Sequence, residues 1–208
     1  MKGLRCSVLR HGDGIMKLSI SKGNTKLGKL PNISLTPIKA CGKGVPCKRE
    51  CYALKSYKQY PNVRKNWDDN LKAYKTDPDA YFRAIDAWFD KHHPKFFRWH
   101  VAGDIVDKGY LAGMLEVARD NPNVKFLAFT KRGDLIPSYI PGNLQLIYSC
   151  WPATPIPTRA KKLRKAWVQD GTESRVPSDA IECPGDCEHC GLCFQLGKIG
   201  KDVVFHKH

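Results

Sequence analysis

Three short runs of aromatic and β-branched residues in the middle of the chain predict β-strands. They are Phe96–Ala102, Val124–Thr130 and Leu144–Cys150. Each run ends at glycine, proline or charged residues, which are typical of the turns that follow strands.

Before and between these strands, apolar side chains recur at the spacing of an α-helix. Asp79–His93 and Asp107–Asn121 each place their apolar residues on one stripe, and Val63–Tyr74 predicts a further helix. Alternating strands and helices predict an α/β fold with a parallel sheet and right-handed crossovers. The sheet is expected to be either open or a small or incomplete parallel (β/α) barrel-like scaffold.

Length and composition favour one globular domain, residues 1–208. Of the 208 residues, 42% are hydrophobic, and no apolar run approaches the ~18 residues of a membrane span. Nine cysteines are too few for a small disulfide scaffold, and Met1–Ile15 has no apolar signal core. We therefore expect a cytoplasmic protein whose thiols are reduced or bound to metal.

The formal net charge of +15 favours a polyanionic partner. Basic residues concentrate at Lys125–Arg132 and at Arg159–Lys165. Nucleic acid is the leading expectation, and a host protein is the alternative. A simpler interpretation of Arg159–Lys165 is the solvated face of a helix.

The cysteine-rich segment 180–195 predicts a metal centre. Cys183, Cys187, Cys190 and Cys193 lie within eleven residues, with gaps of three, two and two. Such close spacing resembles the cysteine runs that bind iron-sulfur clusters, so a 4Fe-4S cluster is expected. Zinc is the alternative metal, although its four thiolates usually come as two pairs separated by a longer loop.

A second cysteine group lies upstream and consists of Cys41, Cys47 and Cys51. Pro46 favours a helix start there, which would place Cys47 and Cys51 on one helical face. Seven thiols allow one complete set of four and a second cluster with an open iron. They also allow a single cluster drawn from both groups, with the other cysteines structural.

Polar residues follow each of the three predicted strands. Asp104 comes after the first, Lys131 and Arg132 after the second, and Ser149 at the end of the third. In parallel α/β folds, ligands bind at the carboxyl ends of the strands. An acid, two cations and a hydroxyl there predict a site for a small zwitterionic ligand.

Several of these motifs together resemble the phage gene product 88 family, over roughly Ser19 to Phe194. They are Cys41 with Cys47-x3-Cys51-Tyr52-Ala53, the strand end His100–Asp104, Phe129–Lys131, and Cys183-Pro184 through Cys193-Phe194. The resemblance implies a bacteriophage protein with an iron-sulfur centre, located in the cytoplasm of the host cell. Related phage proteins look like short relatives of the radical S-adenosylmethionine barrel.

That wider likeness implies roles for particular residues. Cys41 to Cys51 would hold the cluster, and Gly103-Asp104 would take the place of the acidic glycine motif that holds the methionine amine. The chain departs from the usual cysteine gaps of three and two, because the gaps here are five and three. The usual gaps occur instead at Cys183–Cys190.

Three classes of function follow from these expectations. One is an enzyme whose open iron binds S-adenosylmethionine, positioned by Asp104, Lys131, Arg132 and Ser149. Another is a non-enzymatic module, stabilised by a cluster or zinc, that binds nucleic acid or a host protein. The last is an electron-transfer protein. The sequence leaves the oligomeric state open.

Overall fold

A mostly parallel sheet of eight strands forms the centre of the computed structural model, which describes residues 16–24 and 27–206. The strand order is β1-β2-β3-β4-β5-β6-β8-β7. β1 pairs antiparallel with β2, and every other neighbouring pair is parallel. The strands are β1 Ile20–Ser21, β2 Asn32–Ile33, β3 Phe96–Trp99, β4 Lys125–Thr130, β5 Leu144–Cys150, β6 Arg164–Gln169, β7 Ile181–Glu182 and β8 Val203–His206.

The sheet is open, with β1 at one edge and β7 at the other in the described part of the chain. The predicted α/β class is therefore confirmed, and a barrel is not. From β2 to β6, strands that follow one another in the chain also lie side by side. Right-handed crossovers between such strands put the connecting helices on one face of the sheet.

The three predicted long helices are confirmed, with ends that differ by a few residues. The α-helices are α1 Ala53–Gln59, α2 Pro61–Thr76, α3 Pro78–His92, α4 Lys108–Asp120, α5 Cys187–Cys190 and α6 Leu196–Ile199. Short 3-10 helices occupy Pro46–Glu50, Gly133–Leu135, Thr158–Lys162 and Leu192–Phe194. Side-chain caps define two helix starts: Asp77 accepts from the Ala80 amide at the start of α3, and Asp107 accepts from the Tyr110 amide at the start of α4, each at 2.8 Å.

The interpretation of the basic run Arg159–Lys165 as the solvated face of a helix holds only for its first part, where Arg159, Lys161 and Lys162 are exposed. The first part of the run lies in the 3-10 helix Thr158–Lys162, and its last two residues begin β6. Lys165 pairs in register with Tyr148 of β5, and its amide donates to the Asp202 carboxylate at 3.0 Å. Arg164 and Lys165 join a strand in spite of their charge, because the next two residues, Ala166 and Trp167, are buried on opposite faces of the sheet.

Two hydrophobic clusters lie on opposite faces of the sheet, because strand side chains alternate. Phe126 and Leu146 belong to the cluster that packs against α2, α3 and α4. Leu127 and Ile147, their neighbours in sequence, belong to the second cluster. That second cluster also contains Leu196, Cys183, Cys193 and Phe194. The cysteine-rich segment therefore covers the sheet face that the long helices leave open.

Candidate functional site

The three upstream cysteines lie in the connection between β2 and α1. Cys47 is inside the 3-10 helix that Pro46 begins, whereas Cys51 follows it with extended backbone. The predicted helix start is therefore confirmed, but the two thiols do not share a face of one α-helix. Burial is the main reason that the pKa of the Cys41 thiol is raised to about 12, and Asp104, Cys47 and Cys51 contribute to the rise. We call Cys41, Cys47 and Cys51 the three-cysteine loop.

The chain on either side of the three-cysteine loop packs against the end of β3. The Tyr52 hydroxyl donates to the Val101 carbonyl. Gly103 has a φ of +84°, and a Cβ there would lie 2.9 Å from the Cβ of Leu35. Only glycine accommodates both this conformation and this close approach. The Gly103-Asp104 turn therefore packs closely against the chain that leads into the three-cysteine loop.

Asp104 connects the ends of β3 and β4. Its buried carboxylate accepts hydrogen bonds from the Thr130 hydroxyl at 2.6 Å, the Lys131 amide at 2.8 Å and the Ile105 amide at 2.7 Å. Burial raises the pKa of this carboxyl, and the three hydrogen bonds oppose the rise. Both oxygens are therefore engaged by the protein itself, which holds the two strand ends in place.

Lys131 and Ser149 lie close to Asp104, as the polar residues at the strand ends predict. The Lys131 ammonium donates to the Ser149 hydroxyl at 2.9 Å and lies 5.8 Å from the centre of the Trp151 ring. Burial raises the pKa of Cys47, and the nearby Lys131 charge lowers it. Asp104, Lys131 and Ser149 thus meet beside the three-cysteine loop. Their binding of a ligand stays a prediction.

The Arg132 guanidinium hydrogen-bonds groups of the protein itself. Its Nε and Nη2 donate to the Asp134 carboxylate at 2.9 and 2.8 Å, and its Nη1 donates to the carbonyls of Ile105 and Val106. A Cβ at Gly42 would lie 2.5 Å from the Arg132 Nε, so the loop passes closely over this side chain. Arg132 therefore lies between the start of the three-cysteine loop and the turn after β3. It packs against the loop and hydrogen-bonds the turn.

The downstream cysteines form a second group, which we call the four-cysteine segment: Cys183, Cys187, Cys190 and Cys193. The Asp186 side chain caps the short helix α5, and its Oδ2 lies 2.7 Å from the His189 Nδ1. Gly191, with a φ of +59°, turns the chain after Cys190. Burial raises the pKa of Cys193 to about 12, and the thiols of Cys183, Cys187 and Cys190 raise it as well. These four thiols are therefore neighbours.

In residues 16–24 and 27–206, no three carboxylate, imidazole or thiol groups converge closely enough to hold a single metal ion. Cys41, Cys47, Cys51, Cys183, Cys190 and Cys193 carry free thiols. Cys150 is buried in the helix-side cluster, as expected for an isolated thiol. Cys6 lies outside the described residues.

Arg98 is a residue that the strand-end pattern missed. It lies on β3, on the face opposite Phe97 and Trp99, with its guanidinium 5.0 Å from the centre of the Phe129 ring. Its Nε is buried and has no hydrogen-bond partner within the described residues. The Arg98 charge lowers the pKa of Cys193 and of Tyr52, against the larger effect of burial. Alternation along β3 was the available signal, since it puts Arg98 on the cysteine side.

A family model described as Gene product 88 matches residues 16–196. The chain belongs to the gene product 88 family. The Gene 88 protein of Mycobacterium phage L5 is 30% identical over 178 aligned positions, which cover 71% of this chain and 74% of that relative. No solved structure matches the chain. Among the described residues, no helix of this gene product 88 protein is long and apolar enough to cross a membrane.

Proposed function

We propose that this gene product 88 protein binds two 4Fe-4S clusters in the host cytoplasm. The four-cysteine segment would supply all four ligands of one cluster. The three-cysteine loop would hold the other and leave one iron open to a small ligand such as S-adenosylmethionine. A radical S-adenosylmethionine-like enzyme is the activity that this arrangement favours. The observation that carries the proposal is the placement of the two cysteine sets, with the three-cysteine loop beside Asp104 and Lys131 and the four-cysteine segment against the second hydrophobic cluster.

The surroundings of the two sets support this division. Cys47, Cys51 and Asp104 raise the pKa of Cys41, and this group lies at the carboxyl end of the sheet. The other three cysteines of its own segment raise the pKa of Cys193. Its side chain packs against the second hydrophobic cluster on the sheet face. Each set thus has its own environment, one polar and one largely apolar.

Burial of the thiols also supports a bound metal. A thiol whose pKa is raised to about 12, as for Cys41 and Cys193, stays protonated at neutral pH and is a poor nucleophile. A bound cation reverses this preference, because a coordinating thiol is deprotonated outright. Soft thiolate ligands select iron-sulfur clusters or zinc over hard cations. Overlapping two-residue gaps favour the cluster.

The residues beside the three-cysteine loop suit a ligand that carries an amine and a carboxylate. Cys41, Cys47 and Cys51 would hold the cluster, which when reduced would supply an electron for cleavage of bound S-adenosylmethionine. Lys131 provides a cation that would pair with the ligand carboxylate, and Ser149 orients the Lys131 ammonium. Asp104 holds the turn below the loop through the Lys131 and Ile105 amides, so it sets where the ligand rests.

Metal analysis of anaerobically purified protein tests the two-cluster proposal. We expect about eight iron and eight sulfide per chain, and about four of each after replacement of either set by alanine. Cys150→Ala is the matched control, since this thiol lies in the helix-side core, and it should keep the full content. Zinc without sulfide would refute the proposal, as would loss of all iron from both set variants.

The enzymatic part has a separate test. Anaerobic reduction with S-adenosylmethionine should yield 5′-deoxyadenosine from the wild-type protein. The variant without the four-cysteine segment should still change its electron paramagnetic resonance spectrum when the cofactor is added. Cys47→Ser should abolish both the product and the spectral change. If iron is fully loaded yet neither signal appears, the protein is an electron-transfer or structural cluster protein instead.

A further inference from the structure

A cleft of about 570 Å³ lies next to Asp134, the partner of Arg132. Its walls come from the start of α4 and from the 3-10 helices that follow β4 and β5. The apolar floor contains Leu111, Leu135 and Ile136, and the rim carries Lys108, Arg159 and Lys162. We call it the basic cleft. None of its lining residues is a cysteine, so it is separate from both thiol sets.

The basic cleft has an excess of positive charge. Asp134 is the acidic residue among its lining groups, and the Arg132 guanidinium neutralises it through two hydrogen bonds. Lys108 and Arg159 are exposed, and neither side chain makes an ion pair or hydrogen bond within the described part of the chain. Lys162 donates to the Pro137 carbonyl at 2.7 Å and so shapes the wall. Two cations are thus available to an anionic ligand.

An exposed aromatic residue comes one position after the lining of the basic cleft in the chain. Tyr139 follows the lining residue Ser138 and exposes 67% of its surface. Phosphate-binding cations combined with an exposed ring and an apolar floor are the features with which proteins bind unpaired bases. A duplex hides the faces of its bases, so it cannot use the ring or the floor.

We propose that the basic cleft binds single-stranded nucleic acid, with Lys108 and Arg159 on successive phosphates and Tyr139 stacked on a base. The net charge of +15 makes such a polyanion a favourable partner for the whole molecule. This interaction needs no metal and stands independently of the cluster proposal.

Fluorescence anisotropy with a labelled oligonucleotide of about 12 nucleotides tests the site, using the full-length protein. Removing two phosphate contacts from a single strand lowers the slope of log K against log salt by about 1.4. The double variant Lys108→Gln with Arg159→Gln should therefore bind about 25-fold more weakly at 0.1 M salt. Lys72→Gln with Arg83→Gln is the control, because it removes the same charge from exposed positions on α2 and α3.

The stacking contact is tested with Tyr139. Tyr139→Ala should weaken binding about fivefold or more, whereas Tyr139→Phe should keep the affinity because it keeps the ring. Tyr60→Ala, at an exposed ring between α1 and α2, is the matched control. Melting temperatures close to that of the wild-type protein verify folding, and each single charge variant is measured if the double variant misfolds.

Three results would overturn the proposal. The first is equal loss of affinity in the cleft variant and the α2/α3 control, which indicates attraction to net charge alone. The second is equal binding of duplex and single strand together with an unaffected Tyr139→Ala variant. The third is displacement of the oligonucleotide by a nucleoside triphosphate at the same concentration as by the unlabelled strand, which indicates a small phosphate site.

Discussion

The Asp104 carboxylate accepts a hydrogen bond of 2.6 Å from the Thr130 hydroxyl and thereby joins the carboxyl ends of β3 and β4. The two residues are 26 positions apart, and both are buried. The same carboxylate accepts a hydrogen bond from the Lys131 amide. The position of Lys131 beside Cys47 therefore depends on Asp104. This edge of the sheet is therefore organised around one buried acid.

Asp104→Ala should destabilise the protein by about 3 kcal/mol, because it leaves buried donors at Thr130, Ile105 and Lys131 without an acceptor. Thr130→Val should cost about 1 kcal/mol. Urea denaturation of both variants and of the double variant measures the coupling between the two side chains. Additive effects would contradict a direct hydrogen bond, since residues in contact couple by about 0.5 kcal/mol or more.

His100 should make stability fall as the pH drops below neutral. Burial, assisted by Arg98, lowers the pKa of this imidazole to about 3, compared with about 6.5 in the unfolded chain. The unfolded state therefore gains a proton below about pH 6.5 that the folded state gains only near pH 3. From pH 7 to pH 5 this costs about 2 kcal/mol.

His100→Asn is the matched variant for that measurement, because asparagine tolerates the left-handed backbone at this position, where φ is +56°. Its free energy of unfolding should fall by about 2 kcal/mol less than that of the wild-type protein between pH 7 and pH 5. Parallel pH profiles would show that His100 does not titrate as a buried neutral group.

Arg98→Gln should make the cluster of the four-cysteine segment harder to reduce, if that cluster is present as proposed. A guanidinium near Cys193 favours the more negative, reduced state. Its loss should lower the reduction potential by on the order of 1 kcal/mol, or about 40 mV for one electron. Arg98→Lys should retain most of the potential. The exposed control Arg83→Gln should not change it, and an equal shift there would contradict a local effect.

The pair formed by Glu173 and Arg175 should stabilise the connection between β6 and β7. The Glu173 side chain is 2% exposed, and the Arg175 Nη1 also donates to the Thr154 carbonyl at 2.7 Å. Hydrogen bonding to Arg175 lowers the pKa of Glu173. The stabilisation is therefore present above the unfolded pKa near 4.5 and is lost as the pH falls through the lower folded value.

Glu173→Gln should cost about 2 kcal/mol at pH 7, because Arg175 loses its charged acceptor. The difference from the wild-type protein should shrink as the pH falls below 4.5 and through the lower folded pKa of Glu173. Denaturation at a series of pH values from 7 downwards compares the two proteins. A constant difference would mean that Glu173 contributes through packing and not through its charge.

Local patterns were sufficient for the central strands and the long helices. The run Leu144–Cys150 has the bounds of β5, and the apolar stripe of Asp107–Asn121 corresponds to α4. The same patterns missed β6, since Arg164 and Lys165 begin a strand that is defined by pairing with β5. They also missed Arg98, whose importance arises from Phe129 and Cys193 on other elements.

The sequence by itself determined the thiol-rich composition, the helical and strand periods and the polar strand ends, because these depend on residues close together in the chain. Only the tertiary structure decided that the sheet is open and that Arg132 is fastened to Asp134. It also placed the three-cysteine loop at the end of β3 and the four-cysteine segment on the sheet face opposite the long helices. The order of the strands sets the distances between cysteines that are far apart in sequence, and that order results from packing across the whole sheet.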